Sequence, residues 1–437
     1  MRESLKTYST DSLAFFPRTL MASLGFIGGD EVGALVLDVG AMNFRAGYAG
    51  EEGPRSTGCS FAGAVIQPGR RDSGPQPSGD DFSFPVDIYR KNSEISDVLP
   101  CMRFIDKKVE MDKDVFELVV QGAFGGKRSG SLPGVHLEEH PLILSEPNRS
   151  PAVRKSMFEI AFEKFHVPAT FTLRRAVASA FSVGKGSGLV VHIGASHLSV
   201  CPVFEGFSLL KSAREFPVGG DIFDLAVEQL LAKKGVVCPA HWERQGLGKK
   251  NFLRFSRTAT ARRVKEEMCK LTVDTVVPAT ALANWSLPPG PAEHFELPDG
   301  TVVDVQSFSS LVPELLFEPY PLTAAPLPGL SGDVGGFQGL PAAISESIGS
   351  VDVDARKSVS QEIILVGGSS LFPKLPERLQ KQIGKTKLTA VPGERANSSW
   401  LGCSIAASLS TFQHLWISKQ QYAEHGPDRL LDHRIIF

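Results

Sequence analysis

No stretch of this sequence approaches the roughly 20 consecutive apolar residues that a bilayer-crossing helix needs. A dominant charge is missing too: 46 Lys and Arg face 48 Asp and Glu, a formal net charge of −2. Nothing in that balance announces a binder of nucleic acid or membrane surface. The six cysteines (Cys59, Cys101, Cys201, Cys238, Cys269 and Cys403) are scattered, with no Cys-x-x-Cys or Cys/His spacing. That argues against a disulfide framework or a structural zinc site and fits a reducing compartment. There is no Walker A sequence and no Gly-x-Gly-x-x-Gly, so neither the P-loop nor the Rossmann reading has support. Asn148, Asn284 and Asn397 each open an Asn-x-Ser/Thr triplet; without a secretory signal these read as chance.

What is present is a chain of 437 residues, 42% hydrophobic and 22% charged, the composition of an ordinary globular protein. That length exceeds what one core usually covers, so two lobes are expected. Residues 1–27 read as a disordered or artefactual extension. Arg2, Lys6 and Arg18 would suit a transit peptide, but Glu3 and Asp11 weaken that reading, and Met21 could equally be the start.

Gly33 to Val39 is an apolar run ending in Asp and Gly, a buried strand entering a tight turn, with Ala46 to Ala49 as a hairpin partner. Gln67 to Ser83, rich in Pro, Gly and Ser, is a loop by composition. Ser150 to His166 carries helix punctuation, with Pro151 near its start. The cluster from Gly184 to Gly188 marks a passage between lobes, because beyond it the strand–turn–strand pattern recurs: Leu189 to Ile193, then Leu198 to Phe204. Duplicated units of this kind suggest two related α/β lobes facing a cleft. Further helices are predicted over Asp221 to Lys234 and Ala259 to Leu271, and a loop over Pro319 to Pro341. A strand is predicted over Glu362 to Val366, and a single helical face over Trp400 to Trp416, where Gly402, Ser404, Ala406 and Ala407 permit close packing.

Three glycine turns follow strands, at Gly40, at Gly194 and at Gly367-Gly368. Without a Cβ, such turns let backbone N–H groups approach an anion closely. One alone is plain turn chemistry; three across the two halves of a cleft protein suggest a phosphate clamp.

At this point a resemblance becomes specific. Ala34 to Gly50 resembles the first phosphate loop of actin, and Ser399 to Tyr422 is similar to actin's C-terminal segment almost residue for residue. His140-Pro141, Asp352 to Lys357 and Val366 to Ser370 lie between them in family order. Within the family, Gly28 to Leu35, Gly194 to His197 and Gly329 to Gly332 resemble the nuclear class of actin-related protein 4. The resemblance implies an actin-like (ribonuclease H-like, duplicated) two-lobe α/β fold with a central nucleotide cleft. The first lobe is expected over 28–183, with a small subdomain near 61–100. The second is expected over 184–397, with a small subdomain near 220–320, and 398–437 returns to the first lobe.

Carried over by position, the resemblance implies an ATP site of Asp38, Gly40, Arg45, Gly194, Gly219, Asp221, Lys265, Glu266, Gly367, Gly368 and Ser369. Asp38 stands where the family holds the water shell of a Mg or Ca ion. Arg45 takes the place of a phosphate-contacting Lys, Ala41 that of a Ser, and Ala396 that of a Lys near adenine. The places of the hydrolytic set carry Arg175, His192, Ala195 and Ser199, so the resemblance implies weak or unhydrolysed ATP and no enzyme.

The implied role is a nuclear assembly subunit of a chromatin remodelling or histone acetyltransferase complex. Its expected partners are actin, a helicase-SANT-associated helix of a remodeller or acetyltransferase scaffold, and histones or DNA indirectly, with no membrane. An ATP-binding enzyme of the actin and sugar-kinase superfamily and a cytoskeletal polymer are the competing readings. The altered Gly69 to Ser83 region, where actin has its polymer-contacting loop, counts against the polymer. The basic stretch Lys249, Lys250, Arg254, Arg257, Arg262 and Arg263 is either a DNA contact or a solvated helix and loop.

Overall fold

The computed structural model describes residues 33–65, 82–84, 86, 95–125, 131–238, 250–273, 277, 281, 284–319, 321–322 and 334–433. The 1–27 extension, nearly all of the Gln67 to Ser83 loop, the Gly329 to Gly332 motif and Lys249 lie outside them.

Two six-stranded sheets dominate. The first contains β1 (Leu35–Val39), β2 (Asn43–Tyr48), β3 (Ser56–Cys59), β4 (Leu142–Glu146), β5 (Ala169–Arg174) and a short late strand, β12 (Ile417–Ser418), in the order β12-β5-β4-β1-β2-β3. The second contains β6 (Gly188–Ile193), β7 (Leu198–Phe204), β8 (Phe207–Ser208), β9 (Arg214–Phe216), β10 (Glu362–Val366) and β11 (Lys387–Thr389), in the order β8-β7-β6-β10-β11, with β9 also paired to β7. Each sheet is built on the same unit, a hairpin whose first strand runs parallel to a later strand. In the first sheet β1 pairs antiparallel to β2 and parallel to β4; in the second β6 pairs antiparallel to β7 and parallel to β10. This is the duplicated α/β architecture expected from the repeated strand–turn–strand pattern.

The central strands read as continuous apolar runs because both of their faces are covered. Leu35, Leu37 and Val39 point into one core of the first lobe, and Leu189, Val191, Ile193, Ile363 and Leu365 into that of the second. The alternate residues Val36, Val190, Ile364 and Val366 turn the other way, into a third core shared by both sheets. Two helices fill that shared core, α3 (Arg175–Ser182) and α9 (Ser398–Ser408); α1 (Lys113–Phe124) and α2 (Pro151–Glu159) precede them in sequence, and α4 (Gly220–Lys233), α5 (Lys250–Met268), α6 (Leu340–Gly349), α7 (Val353–Ser360) and α8 (Leu375–Ile383) lie between them. Trp400 is fully buried there, and its indole N–H donates to the Val36 carbonyl at 3.3 Å.

Three boundaries differ from expectation. α2 keeps its proline-marked start, but from Ile160 to Lys164 the helix widens into a π turn. α5 begins at Lys250 rather than near Ala259. The face over Trp400 to Trp416 is not one helix: α9 stops at Ser408, Leu409 turns to an extended ψ of 135°, and a 3-10 helix runs Ser410–Leu415. The break lets Phe412 turn back onto Phe171, edge to face at 5.0 Å, while the chain re-enters the first sheet as β12.

The lobes also meet at a distance from the shared core. Phe252 on α5 is buried with Val86 and Ile95, and Phe255 packs on Phe61 with ring centroids 5.0 Å apart. Phe104, in the hairpin 102–111, stacks on His197 at 4.6 Å.

The tightest helix contact gives a test with a diagnostic sign. A Cβ on Gly402 would lie 1.7 Å from the Ala178 carbonyl oxygen. In an open helix Gly→Ala stabilises by about 1 kcal/mol. Here Gly402→Ala forces α3 and α9 apart and is expected to destabilise by about 1–3 kcal/mol. Urea denaturation checks the sign.

Candidate functional site

β1 and β6 end side by side at a cleft of about 410 Å³, within the range of small-molecule sites. Its lining brings together Asp38, Gly40, Arg45, Gly194, Asp221, Lys265, Glu266, Gly367, Gly368 and Ser369, with Arg175, His192, Ala195, Ala41 and Ala396. Of the residues singled out from the sequence, Gly219 stands just behind the lining. A Cβ on it would meet the Ala195 carbonyl oxygen at 2.5 Å, so glycine is needed there to bring the start of α4 against the Gly194 turn. Ser199 lies on β7 behind His192, where its hydroxyl accepts from the Asn148 side-chain amide at 3.0 Å.

The glycine turns divide their donors. Their own N–H groups are not available to an anion: Gly40 donates to Asn43, Gly194 to His197 and Gly367 to Arg395, all within the protein. Each glycine closes its turn and leaves the following amides open. Those of Ala41, Met42, Ala195, Ser196 and Gly368 have no backbone partner among the described residues. Gly367 is required by conformation, with a φ of 98° and the Ile193 carbonyl 2.3 Å from any added Cβ.

At the β1–β2 end stands a charged trio. Asp38 is buried, and its Oδ1 accepts the Ser145 hydroxyl at 2.6 Å. Arg45 Nη1 lies 3.6 Å from Asp38 Oδ2, and Arg175 Nη2 lies 3.7 Å from Oδ1. Each guanidinium is aimed by a second contact: Arg45 Nε donates to Asn397 Oδ1 at 2.6 Å, and Arg175 Nη2 to the Val39 carbonyl at 3.0 Å. Burial pulls the Arg45 pKa down, Asp38 pulls it up, and Arg175 opposes it again.

The opposite wall sets three carboxylates, Asp221, Asp224 and Glu266, against Lys265 and Arg262. Asp224 is fully buried between Lys265 at 2.6 Å and Arg262 at 2.8 Å, which ties α4 to α5. Lys265 is therefore committed to Asp224. Asp221 reaches solvent through the cleft, yet confinement there, reinforced by the Asp224 carboxylate, raises its pKa to about 6. Arg262 belongs to this wall, and Arg263 makes an exposed pair with Glu267 at 2.7 Å.

Three participants escaped the sequence reading: Ser145, Asn397 and Glu215. Glu215 is brought opposite Ser199 by the pairing of β9 with β7. Burial raises its pKa, offset by Arg149, Arg175 and hydrogen bonds with Asn148 and Ser199. It does not line the cleft.

Comparison with known proteins gives the family. The actin family profile, described as Actin, matches residues 29–435. This chain belongs to the actin family. It is 30% identical to actin-related protein 4 of Oryza sativa subsp. indica over 440 positions, covering 91% of this chain and 98% of the relative. Actin-related protein 4 of Arabidopsis thaliana is 28% identical with the same coverage, and that of Yarrowia lipolytica 27% identical over 93% of this chain and 96% of the relative.

The actin family binds nucleotide, so the residues present can be tested for fit. A nucleotide suits them: cations and open amides at the β1–β2 end, and Gly367 to Ser369, Leu371 and Phe372 toward Lys265 and Glu266. A Mg²⁺ or Ca²⁺ ion does not. Such ions take carboxylate and carbonyl oxygens or waters held by them. Among the described residues, Asp38 is the carboxylate lining this end, it already accepts from Ser145 and faces two guanidiniums, and no group of three His, Cys, Asp or Glu gathers.

His192 and His197 supply a pH test. Burial first, then nearby cations, lowers both pKa values from 6.5 to about 3. The unfolded chain therefore binds more protons than the folded one between those values, and stability falls as pH drops from about 6.5 toward 3. His192→Gln is expected to flatten that fall, checked by thermal melts across the interval, and in the unsubstituted protein neither imidazole titrates by NMR between pH 5 and 8.

Proposed function

We propose that this chain is a non-catalytic, structural actin-related subunit of a nuclear chromatin remodelling or histone acetyltransferase complex, holding ATP with negligible turnover. The observation that carries the reading is the state of Asp38. Transfer of a phosphoryl group to water needs a positioned water and a held metal ion. The carboxylate nearest the phosphate end instead faces the guanidiniums of Arg45 and Arg175 and accepts from Ser145. His192, with a pKa of about 3, takes up a proton poorly near neutral pH, and Glu215 stays behind the wall.

The assembly side of the proposal rests on near full-length similarity to proteins named actin-related protein 4 and on the C-terminal segment. Leu409, Leu415 and Trp416 remain only partly buried after α9 ends. Beside them α10 (Lys419–His433), two helical pieces joined by a kink at Gly426, lies on α2, with Tyr422 stacked on Phe162 at 4.6 Å. An amphipathic helix can dock against such an apolar edge by i, i+3, i+4 and i+7 anchors. We assign that position to the helicase-SANT-associated helix of a remodeller or acetyltransferase scaffold, beside a bound actin, with histones or DNA contacted indirectly. The proposed division of the chain is a first lobe over 28–183, a second over 184–397 and a C-terminal return over 398–437.

The test uses the purified full chain. A helicase-SANT-associated helix is expected to capture it in the presence of actin, Leu415→Asp to lose capture while still melting cooperatively as a folded protein, and phosphate release from ATP with Mg²⁺ to stay at background. Metal-dependent release at an actin-like rate, or a folded chain with no affinity for the helix, contradicts the reading.

A further inference from the structure

The trio at the phosphate end carries one positive charge in excess, and that excess is buried: the side chains of Arg45 and Arg175 are 15% and 9% exposed, and Asp38 is their one carboxylate. Counting the next layer does not change the sign. Glu215 approaches Arg175 from behind, but Arg149 stands beside Glu215, and His192 is neutral. A buried, incompletely compensated cation is costly unless an anion meets it.

Both guanidiniums have donors left to do so. A guanidinium carries five N–H groups in a rigid fork suited to phosphate oxygens. Arg45 spends Nε on Asn397, Arg175 spends Nη2 on Val39, and both contacts to Asp38 are longer than hydrogen bonds. Ala41, Met42, Ala195 and Ser196, whose amides have no backbone partner among the described residues, line the same cleft. A divalent ion placed here would meet the two arginines and find Asp38 already engaged.

We propose that this cleft binds the polyphosphate of a nucleotide without a divalent cation, with Arg45 and Arg175 supplying the positive charge that a metal would supply. The inference deepens the reading of the cleft as a non-hydrolytic nucleotide site and adds a property of its own. Fixed guanidiniums neutralise ground-state phosphate charge, but they bring no metal-bound waters and no ion to bridge the β- and γ-oxygens. Binding and hydrolysis are thereby separated.

The experiment is calorimetric titration of ADP into the nucleotide-stripped full chain, with Mg²⁺ and then with excess EDTA. The dissociation constant is expected to change by less than about fivefold between the two, whereas a larger weakening in EDTA overturns the proposal. Arg175→Gln is expected to bind ADP about tenfold or more weakly in EDTA, since it loses a charge-assisted contact. Arg45→Lys, which keeps the charge but not the fork, should fall between it and the unsubstituted protein. Unchanged binding by a folded Arg175→Gln also overturns the proposal. Absence of binding in either buffer overturns it while leaving the assembly role intact. Loss of helix capture with EDTA-insensitive binding retained sinks the assembly role and supports this inference.

Discussion

The cleft floor depends on the crossing of α3 and α9. Both helices begin at the cleft, α3 with Arg175 and α9 with Ser398 and Ser399, and the Ser179 hydroxyl lies 3.3 Å from both serine hydroxyls. Only a residue without a side chain at position 402 lets the two axes come this close. That approach seats Trp400 under β1 and puts Asn397, just ahead of α9, where it aims Arg45. One packing contact thus fixes the positions of both arginines relative to Asp38. Overpacking it would disturb the charge arrangement without touching a charged residue.

The charge arrangement separates two properties that usually go together in a nucleotide site. Phosphate recognition needs positive charge and N–H donors, and residues carrying both line the cleft. Hydrolysis needs in addition a held metal and an ordered water, and the groups around Asp38 favour neither. The lobes are also bridged away from the floor, by Phe252 with Ile95 and Val86 and by Phe104 on His197. Apolar contact of this kind resists opening in high salt, where ion pairs weaken. A cleft stapled at floor and rim suits a nucleotide that serves as part of the structure.

Much of the fold was legible in the sequence because its central strands are buried on both faces. β1, β6 and β10 stand out as apolar runs ending in glycine, and the repeated hairpin pattern exposes the duplication. The site was legible in outline for the same reason, since its turns terminate those strands. Ser145 and Asn397 were not. Ser145 meets Asp38 only through the parallel register of β4 on β1, and Asn397 meets Arg45 across 352 residues of chain. No local pattern encodes such pairings. The glycine turns were located from the sequence, but not which amides stay open, because the sequence does not show that each glycine N–H is consumed in closing its own turn. The face from Trp400 to Trp416 kept helical spacing through Leu409, where the backbone turns extended, so periodicity alone could not find the break.

The central claim is that arginine charge stands where a metal ion would. It is tested most directly by crystals grown with ADP and Mn²⁺, using anomalous diffraction at the manganese edge. The account predicts nucleotide phosphates within hydrogen-bond distance of Arg45 and Arg175 and no anomalous peak between them and Asp38. A manganese peak there, bridging phosphate oxygens and the Asp38 carboxylate directly or through its waters, would contradict it.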